Sequence, residues 1–171
     1  MPATQHYTDI INTPVGYLGI QITGRELSGL EFLGKHKPAT NAKNVDSRDT
    51  AIEHSKRQIR EALNNYFHDP RSCRQPTTLL QGTPFQLRVW KALSSIHSGD
   101  TRTYGDIAAE LKSSARAVGN ACRQNPVPIF IPCHRVVART GRGGFMGQTT
   151  GEAMQIKEWL LKHEQNFTTA R

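Results

Sequence analysis

The chain has 171 residues, 36% hydrophobic and 21% charged, with 22 Lys/Arg against 14 Asp/Glu and a formal net charge of +8. That length supports a real hydrophobic core in one large domain or two small ones, and the balance is that of a soluble globular protein. No apolar run approaches the ~20 residues of a membrane helix, MPATQHYTDI lacks the basic-then-apolar pattern of a signal segment, and three cysteines without paired spacing argue against a disulfide scaffold. A cytoplasmic protein with no membrane partner is expected.

In chain order, HYTDIINTP (6–14) alternates weakly and YLGIQIT (17–23) strongly, with Pro14-Val15-Gly16 as a turn between them. ELSGLEFLG (26–34) reads as a third strand, completing a meander. Residues 36–48 are polar and Lys/Asn-rich, a loop, and Ile52, Ile59, Leu63 and Phe67 then fall at helical spacing over 49–68. DPRSCRQPTTLLQG (69–82) has two prolines and no period, which suits an interdomain link.

The second half reads as mostly helical. Thr83-Pro84-Phe85-Gln86 has the form of a capping box with proline at the first helical position, and Phe85, Val89, Leu93 and Ile96 continue an apolar face. TYGDIAAEL (103–111) is a short helix, Lys112-Ser113-Ser114 a turn, and ARAVGNACRQN (115–125) a second helix that Pro126 ends. Two short helices around a tight polar turn, the second basic, look like a helix-turn-helix. PVPIFI follows as an apolar run that reads as a buried strand, then the Gly-rich TGRGGFMGQTTG (140–151), and a last helix over about 151–164 started by Thr149 and Glu152. The expected fold is α+β: a small sheet-plus-helix unit over 1–80 and a mainly helical DNA-binding unit over 81–171.

Charge is uneven along this order. Residues 1–80 carry 10 Lys/Arg against 8 Asp/Glu, residues 81–171 carry 12 against 6, and residues 111–151 hold six basic residues and no acid. On the second helix of the pair, Arg116, Gly119, Asn120 and Arg123 share one face, while Ala115, Val118, Ala121 and Cys122 line the other. A smooth face flanked by arginines suits a DNA groove, and Gly119 lets the backbone come close to a partner.

Cys133 follows Pro132 and precedes His134 and Arg135. A nucleophilic cysteine needs thiolate character from a neighbouring base or positive charge, and Pro132 favours a local bend over a plain central strand. Such a bend aims thiol and imidazole at one pocket. Free cysteine is also among the most buried residue types, so the residues alone favour a structural thiol.

PCHR after NPVPIFI, with Val136-Val137 following, resembles the active-site signature of the O6-alkylguanine-DNA alkyltransferases, the suicide DNA-repair methyltransferases. GTPFQLRVWKAL, the Tyr104-Gly105-Asp106-Ile107-Ala108 helix, ARAVGNACRQNPVP and KEWLLKHE are similar to further blocks of that family, in order, over residues 82–164. The resemblance implies a ribonuclease H-like domain over 1–80 and a winged-helix-like domain over 81–171. It implies stoichiometric, irreversible transfer of an alkyl group from O6-alkylguanine, and from O4-alkylthymine, in duplex DNA to Cys133. In the roles it carries over, His134 deprotonates Cys133 through water, and Glu164 orients His134. Tyr104 donates to the base, and Asn125 stiffens the turn. Arg116 enters as an arginine finger, with Tyr104, Gly105, Gly119, Arg123 and Arg139 as further DNA contacts. Spacing supports the place of Glu164, since Ile156, Leu160 and Glu164 lie on one helical face.

The pocket loop departs from the family pattern. Where Tyr-x-Gly-Gly is usual, the chain has Phe145 and Met146 and about four extra residues. With Cys73 the only N-terminal cysteine, no structural metal is expected. No cofactor is expected either, and the protein should act as a monomer on alkylated duplex. The competing readings are a non-enzymatic lesion binder, a helix-turn-helix regulator that senses through Cys133, and a Cys-His hydrolase. The first lacks the acceptor cysteine that is present here, and the second needs base-reading side chains that the Ala/Gly-rich helix lacks.

Overall fold

The computed structural model describes residues 6–36, 38 and 49–168, so the loop expected over 36–48 lies almost wholly outside the described residues. The chain divides into two compact units, Met1–Leu79 and Leu80–Arg171.

In the first unit, β1 (Asp9–Thr13), β2 (Gly16–Thr23) and β3 (Glu26–Gly34) form an antiparallel meander in that order. Gly16 closes the first turn at φ +104°, with the Gly34 carbonyl where a Cβ would sit, so no other residue fits. Leu18, Ile20, Leu27 and Leu30 are buried, as are Ile59, Leu63 and Tyr66 of α1 (Thr50–His68), the helix laid against the sheet. Asp49 caps α1 by accepting from the Ala51 and Ile52 backbone. Arg60 of α1 holds the buried Asp9 of β1 through its Nε at 2.7 Å. The segment expected as a plain link is partly built into this unit. Pro70–Ser72 is a 3-10 turn, and Thr77 and Leu79 bond the two backbone groups of Leu27 at 2.9 Å each. A bridge this short leaves no period to read.

The second unit holds α2 (Pro84–Ser94), β4 (Arg102–Thr103), α3 (Tyr104–Glu110), α4 (Ala115–Arg123), β5 (Val136–Val137) and α5 (Glu152–Thr168). Capping boxes start α2 at Thr83/Gln86 and α3 at Thr103/Asp106. Lys112, at φ +52°, turns the chain between α3 and α4. The Trp90 indole donates to the Ala121 carbonyl at 2.9 Å, tying α2 to α4 inside a core of Val89, Leu93, Ile107, Val118, Val127 and Leu160. β4 and β5 form a two-residue parallel pair. The architecture is α+β, a small antiparallel sheet with its helix followed by a mainly helical unit. Among the described residues no helix is long and apolar enough to cross a membrane.

Three local expectations are corrected. α5 runs to Thr168, a turn beyond the expected end, so Glu164 sits inside the helix. Ala115, expected on the buried face of α4, is exposed, because the first turn of that helix projects beyond the core. PIFI is not a strand: Pro128 bridges Ile131 and Ile129 takes φ +76°. The bend expected at Pro132 is present, as Cys133–Arg135 form a 3-10 turn.

Candidate active site

The turn that carries Cys133 is held from one side chain. Asn125, just after α4, accepts from the Val127 backbone at 3.1 Å and donates to the Ile131 carbonyl at 2.7 Å and to the Cys133 sulfur at 3.2 Å. The β-branched Ile129 at positive φ is a strained conformation, sustained only because its surroundings fix it. Burial raises the Cys133 thiol above its ordinary pKa, while the Asn125 hydrogen bond and the positive charge of Lys157 oppose that rise.

Behind the turn lies a charged cluster sealed from solvent. His134 and Glu164 have no exposed surface, and the imidazole Nε2 and carboxylate Oε1 are 2.8 Å apart. Arg135 donates to both carboxylate oxygens at 2.9 Å, and the Gly99 backbone N–H donates to Oε2 at 3.2 Å. A third bond ties the Arg135 guanidinium to the Ile96 carbonyl at the end of α2. Burial alone would raise the Glu164 carboxyl, but His134 and Arg135 together hold it well below the usual carboxylate range. Arginine stays charged at any working pH, so this pair keeps the carboxylate ionised even beside a neutral imidazole. Burial lowers the His134 pKa and outweighs the carboxylate next to it, leaving a neutral ring able to take a proton.

On its other side Cys133 lines a cavity of about 350 Å³. Ala115, Gly119, Asn120, Cys122 and Arg123 of α4 form one wall, Tyr104 another, and residues 144–149 of the Gly-rich loop the third. The Tyr104 hydroxyl donates to the Gly144 carbonyl at 3.1 Å. Burial, reinforced by the two thiols, raises its pKa well above an ordinary phenol, so it remains a donor. Lys157 of α5 donates to that same Gly144 carbonyl at 2.9 Å and to Val136 at 2.6 Å. Phe145 is buried, whereas Met146 is 38% exposed at φ +52°.

The cavity thus brings together Cys133, Tyr104, Gly119, Arg123, Phe145 and Met146, with Asn125 bonded to the sulfur. His134 and Glu164 do not line it. The bend expected to aim both thiol and imidazole at one pocket leaves only the thiol on its wall, because the imidazole turns inward to the carboxylate. Gly105 and Arg116 are exposed next to the cavity residues Tyr104 and Ala115 in sequence, and Arg139 is exposed too, but none of the three is part of the lining. A Cβ at Gly119 would meet nothing nearer than a Tyr104 ring carbon at 4.0 Å, so internal packing does not demand glycine there. Among the described residues no group of three His, Cys, Asp or Glu side chains could hold a metal ion.

Residues 84–166 match the family model described as the DNA binding domain of 6-O-methylguanine DNA methyltransferase. The methylated-DNA–protein-cysteine methyltransferase of Methanosarcina barkeri is 38% identical over 94% of this chain and 98% of its own length. This chain belongs to the methylated-DNA–protein-cysteine methyltransferase family. The Mycobacterium tuberculosis O6-methylguanine methyltransferase crystal structure matches with a TM-score of 0.75 at 32% identity, covering 97% of this chain and 96% of that one. A second structure from that organism, OGT in complex with DNA, matches with a TM-score of 0.68 at 32% identity over 92% of each chain.

Within this methyltransferase Arg135, whose place in the sequence suggests a positive charge beside Cys133, instead pairs with Glu164, and Lys157, Gly99 and Cys122 join the site without a sequence signal that singles them out. Ala153, Ile156, Lys157, Leu160, Leu161 and Glu164 are all buried along α5. The helical spacing that places Glu164 inside therefore places Lys157 there too. Gly99 and the Ile96 carbonyl reach the cluster only through the fold, and no local pattern announces them. Gly147, at φ +76°, packs against the Arg123 side chain, which brings the remodelled loop against α4.

Proposed function

We infer that this chain repairs alkylated DNA by direct reversal, as a single-turnover methylated-DNA–protein-cysteine methyltransferase whose acceptor is Cys133. The observation that carries this reading is the Cys133 thiol on the wall of a cavity shared with the basic helix α4, one residue before an imidazole paired to a buried carboxylate. The second unit is the DNA-binding and alkyl-acceptor domain, and the first a ribonuclease H-like domain. The protein acts as a monomer in the cytoplasm.

The target base lies inside a duplex, so it is flipped out at a cost of a few kcal/mol. Arg116, at the exposed start of α4, fills the space it leaves. Arg123 and Arg139 hold phosphates, and Gly105 and Gly119 let the backbone approach the strand. The thiol proton passes by way of water to the neutral His134 behind the turn, outside the cavity lining, and Glu164 stabilises the imidazolium. The Cys133 sulfur forms a bond to the alkyl carbon as the carbon–oxygen bond breaks, and the electron pair leaves with the base oxygen. Tyr104 donates a hydrogen bond to the departing base, where negative charge develops. Phe145 and Met146 bound the space for the alkyl group. The thioether product is stable, which limits each molecule to one reaction and leaves no step for a cofactor. The same displacement suits O6-alkylguanine and O4-alkylthymine.

The test is to incubate the protein with duplex DNA carrying an isotopically labelled O6-methyl group and to locate the label by peptide mass. One label per chain on the Cys133 peptide is expected, with none on Cys133→Ala, which keeps its DNA affinity. Bound DNA with unmodified protein would instead make it a lesion binder, and repeated release of product a hydrolase.

A further inference from the structure

The pocket loop turns at a residue that its turn does not favour. Phe145 and Gln148 exchange backbone hydrogen bonds at 2.8 and 2.9 Å, which leaves Met146 and Gly147 as a two-residue hairpin turn. Both take positive φ, +52° at Met146 and +76° at Gly147. Such turns select Asn-Gly, Asp-Gly or Gly-Gly, because a side chain as bulky as methionine's is strained in that conformation. The segment is anchored on three sides. The Gly144 carbonyl accepts from Tyr104 and Lys157, Phe145 is buried, and Gly147 packs against the Arg123 side chain.

Interior packing does not hold the methionine there either. Met146 is one of two large apolar side chains left exposed among the described residues, yet it lines the same cavity as Cys133. Strain and apolar exposure combined in one cavity residue mark a functional position. The two side chains stand at different depths: Cys133, 6% exposed, at the floor and Met146 at the outer rim. A guanine flipped into the cavity aims its O6-alkyl carbon at the sulfur while N9, which carries the sugar, stays toward the strand outside. N9 belongs to the five-membered ring, so that ring occupies the outer part of the cavity, level with Met146. In thymine the O4-bearing carbon and the sugar-bearing N1 share the single ring. A thymine whose O4-alkyl group reaches the sulfur therefore leaves the rim unfilled.

We propose that Met146 is a specificity-determining residue that selects purine over pyrimidine, its thioether packing on the five-membered ring of an alkylated guanine. Thioethers contact aromatic rings favourably, and an unbranched side chain adapts to the ring it meets. Beyond bounding the cavity at its outer end, Met146 thus covers the one part of guanine that thymine lacks. The strained turn is what sets the side chain over the mouth, where Asn or Gly would relieve the backbone but leave the base uncovered. This inference rests on the reading of Cys133 as alkyl acceptor and adds to it which base the cavity prefers.

The experiment compares wild type, Met146→Asn and Met146→Leu in the full-length chain. Single-turnover transfer is followed at saturating duplex carrying either O6-methylguanine or O4-methylthymine, with thermal unfolding measured alongside. The same duplexes are titrated against these proteins in a Cys133→Ala background, which binds without reacting. Wild type should prefer the guanine duplex. Met146→Asn should be roughly 3- to 10-fold slower on O6-methylguanine and within about twofold of wild type on O4-methylthymine. Its Tm should rise by about 2–4 °C, because Asn-Gly suits the turn. Met146→Leu, which keeps the apolar bulk, should retain the preference. Equal losses on both substrates, no loss on either, or a lowered Tm in Met146→Asn would each overturn the proposal. If Met146→Asn is unfolded by circular dichroism, Met146→Gly is judged by the same criteria. A wild type that takes label from neither duplex, beside a Cys133→Ala protein whose preference for the guanine duplex depends on Met146, would sink the repair reading and leave this one standing.

Discussion

Asn125 donates its side-chain amide to the sulfur of Cys133 at 3.2 Å, and the same nitrogen donates to the Ile131 carbonyl at 2.7 Å. One residue therefore both sets the strained turn and faces the sulfur with a donor, which favours thiolate over thiol. Hydrogen bonds to charged groups contribute about 1.5–3 kcal/mol, so Asn125→Ala should slow single-turnover transfer roughly 10- to 100-fold. Asn125→Asp should be slower still, since it sets a carboxylate against the developing negative charge. Stopped single-turnover assays with labelled duplex decide this, and transfer by Asn125→Ala at the wild-type rate would remove Asn125 from the acceptor's machinery.

Much of the architecture was legible because local chemistry announces it. The Thr83/Gln86 capping box, the strand alternation of residues 17–23 and the buried face of α5 each follow from short-range spacing that the structure reproduces. The segment before Cys133 was not legible as a turn, since PIFI is as apolar as a buried strand, and only the Asn125 bonds and the positive φ of Ile129 separate the two. Nothing in the sequence marks Lys157, because a lysine in the first turns of a helix ordinarily reaches water. Here both carbonyls that bind it come from other segments of the chain. Ala115 carries no signal for either face, and its exposure follows from where α4 leaves the core.

The buried cluster should make stability fall in acid in two stages. His134 has a lowered pKa in the native state, so below about pH 6.5 the unfolded chain binds more protons and stability declines as pH drops. Glu164, held low by His134 and Arg135, contributes stability that is complete above about pH 4.3 and is lost as pH falls below it. Glu164→Ala leaves the Arg135 guanidinium buried without its carboxylate. It should cost about 3–5 kcal/mol at neutral pH and remove the second stage. Urea titrations at a series of pH values measure both effects. A wild-type curve that stays flat from neutral pH down to about pH 5 would contradict the neutral, sealed imidazole.

Arg116 stands exposed at the first turn of α4 and does not line the cavity, so its contribution should depend on duplex DNA rather than on the reacting base. If it occupies the space a flipped base leaves, losing it returns part of an extrusion cost of a few kcal/mol to the barrier. Arg116→Ala should then slow repair of duplex DNA roughly 10- to 100-fold, while reaction with a free O6-alkylguanine base stays within about twofold of wild type. A plain phosphate contact would behave differently. Its loss would weaken binding to any duplex and lower the salt slope of affinity by about one, without separating the two substrates at saturating DNA. Measuring both rates at saturating duplex and the salt slope for the same variant therefore distinguishes the finger from the phosphate clamp. Equal losses on duplex and free base would rule out both and point to damage inside the cavity.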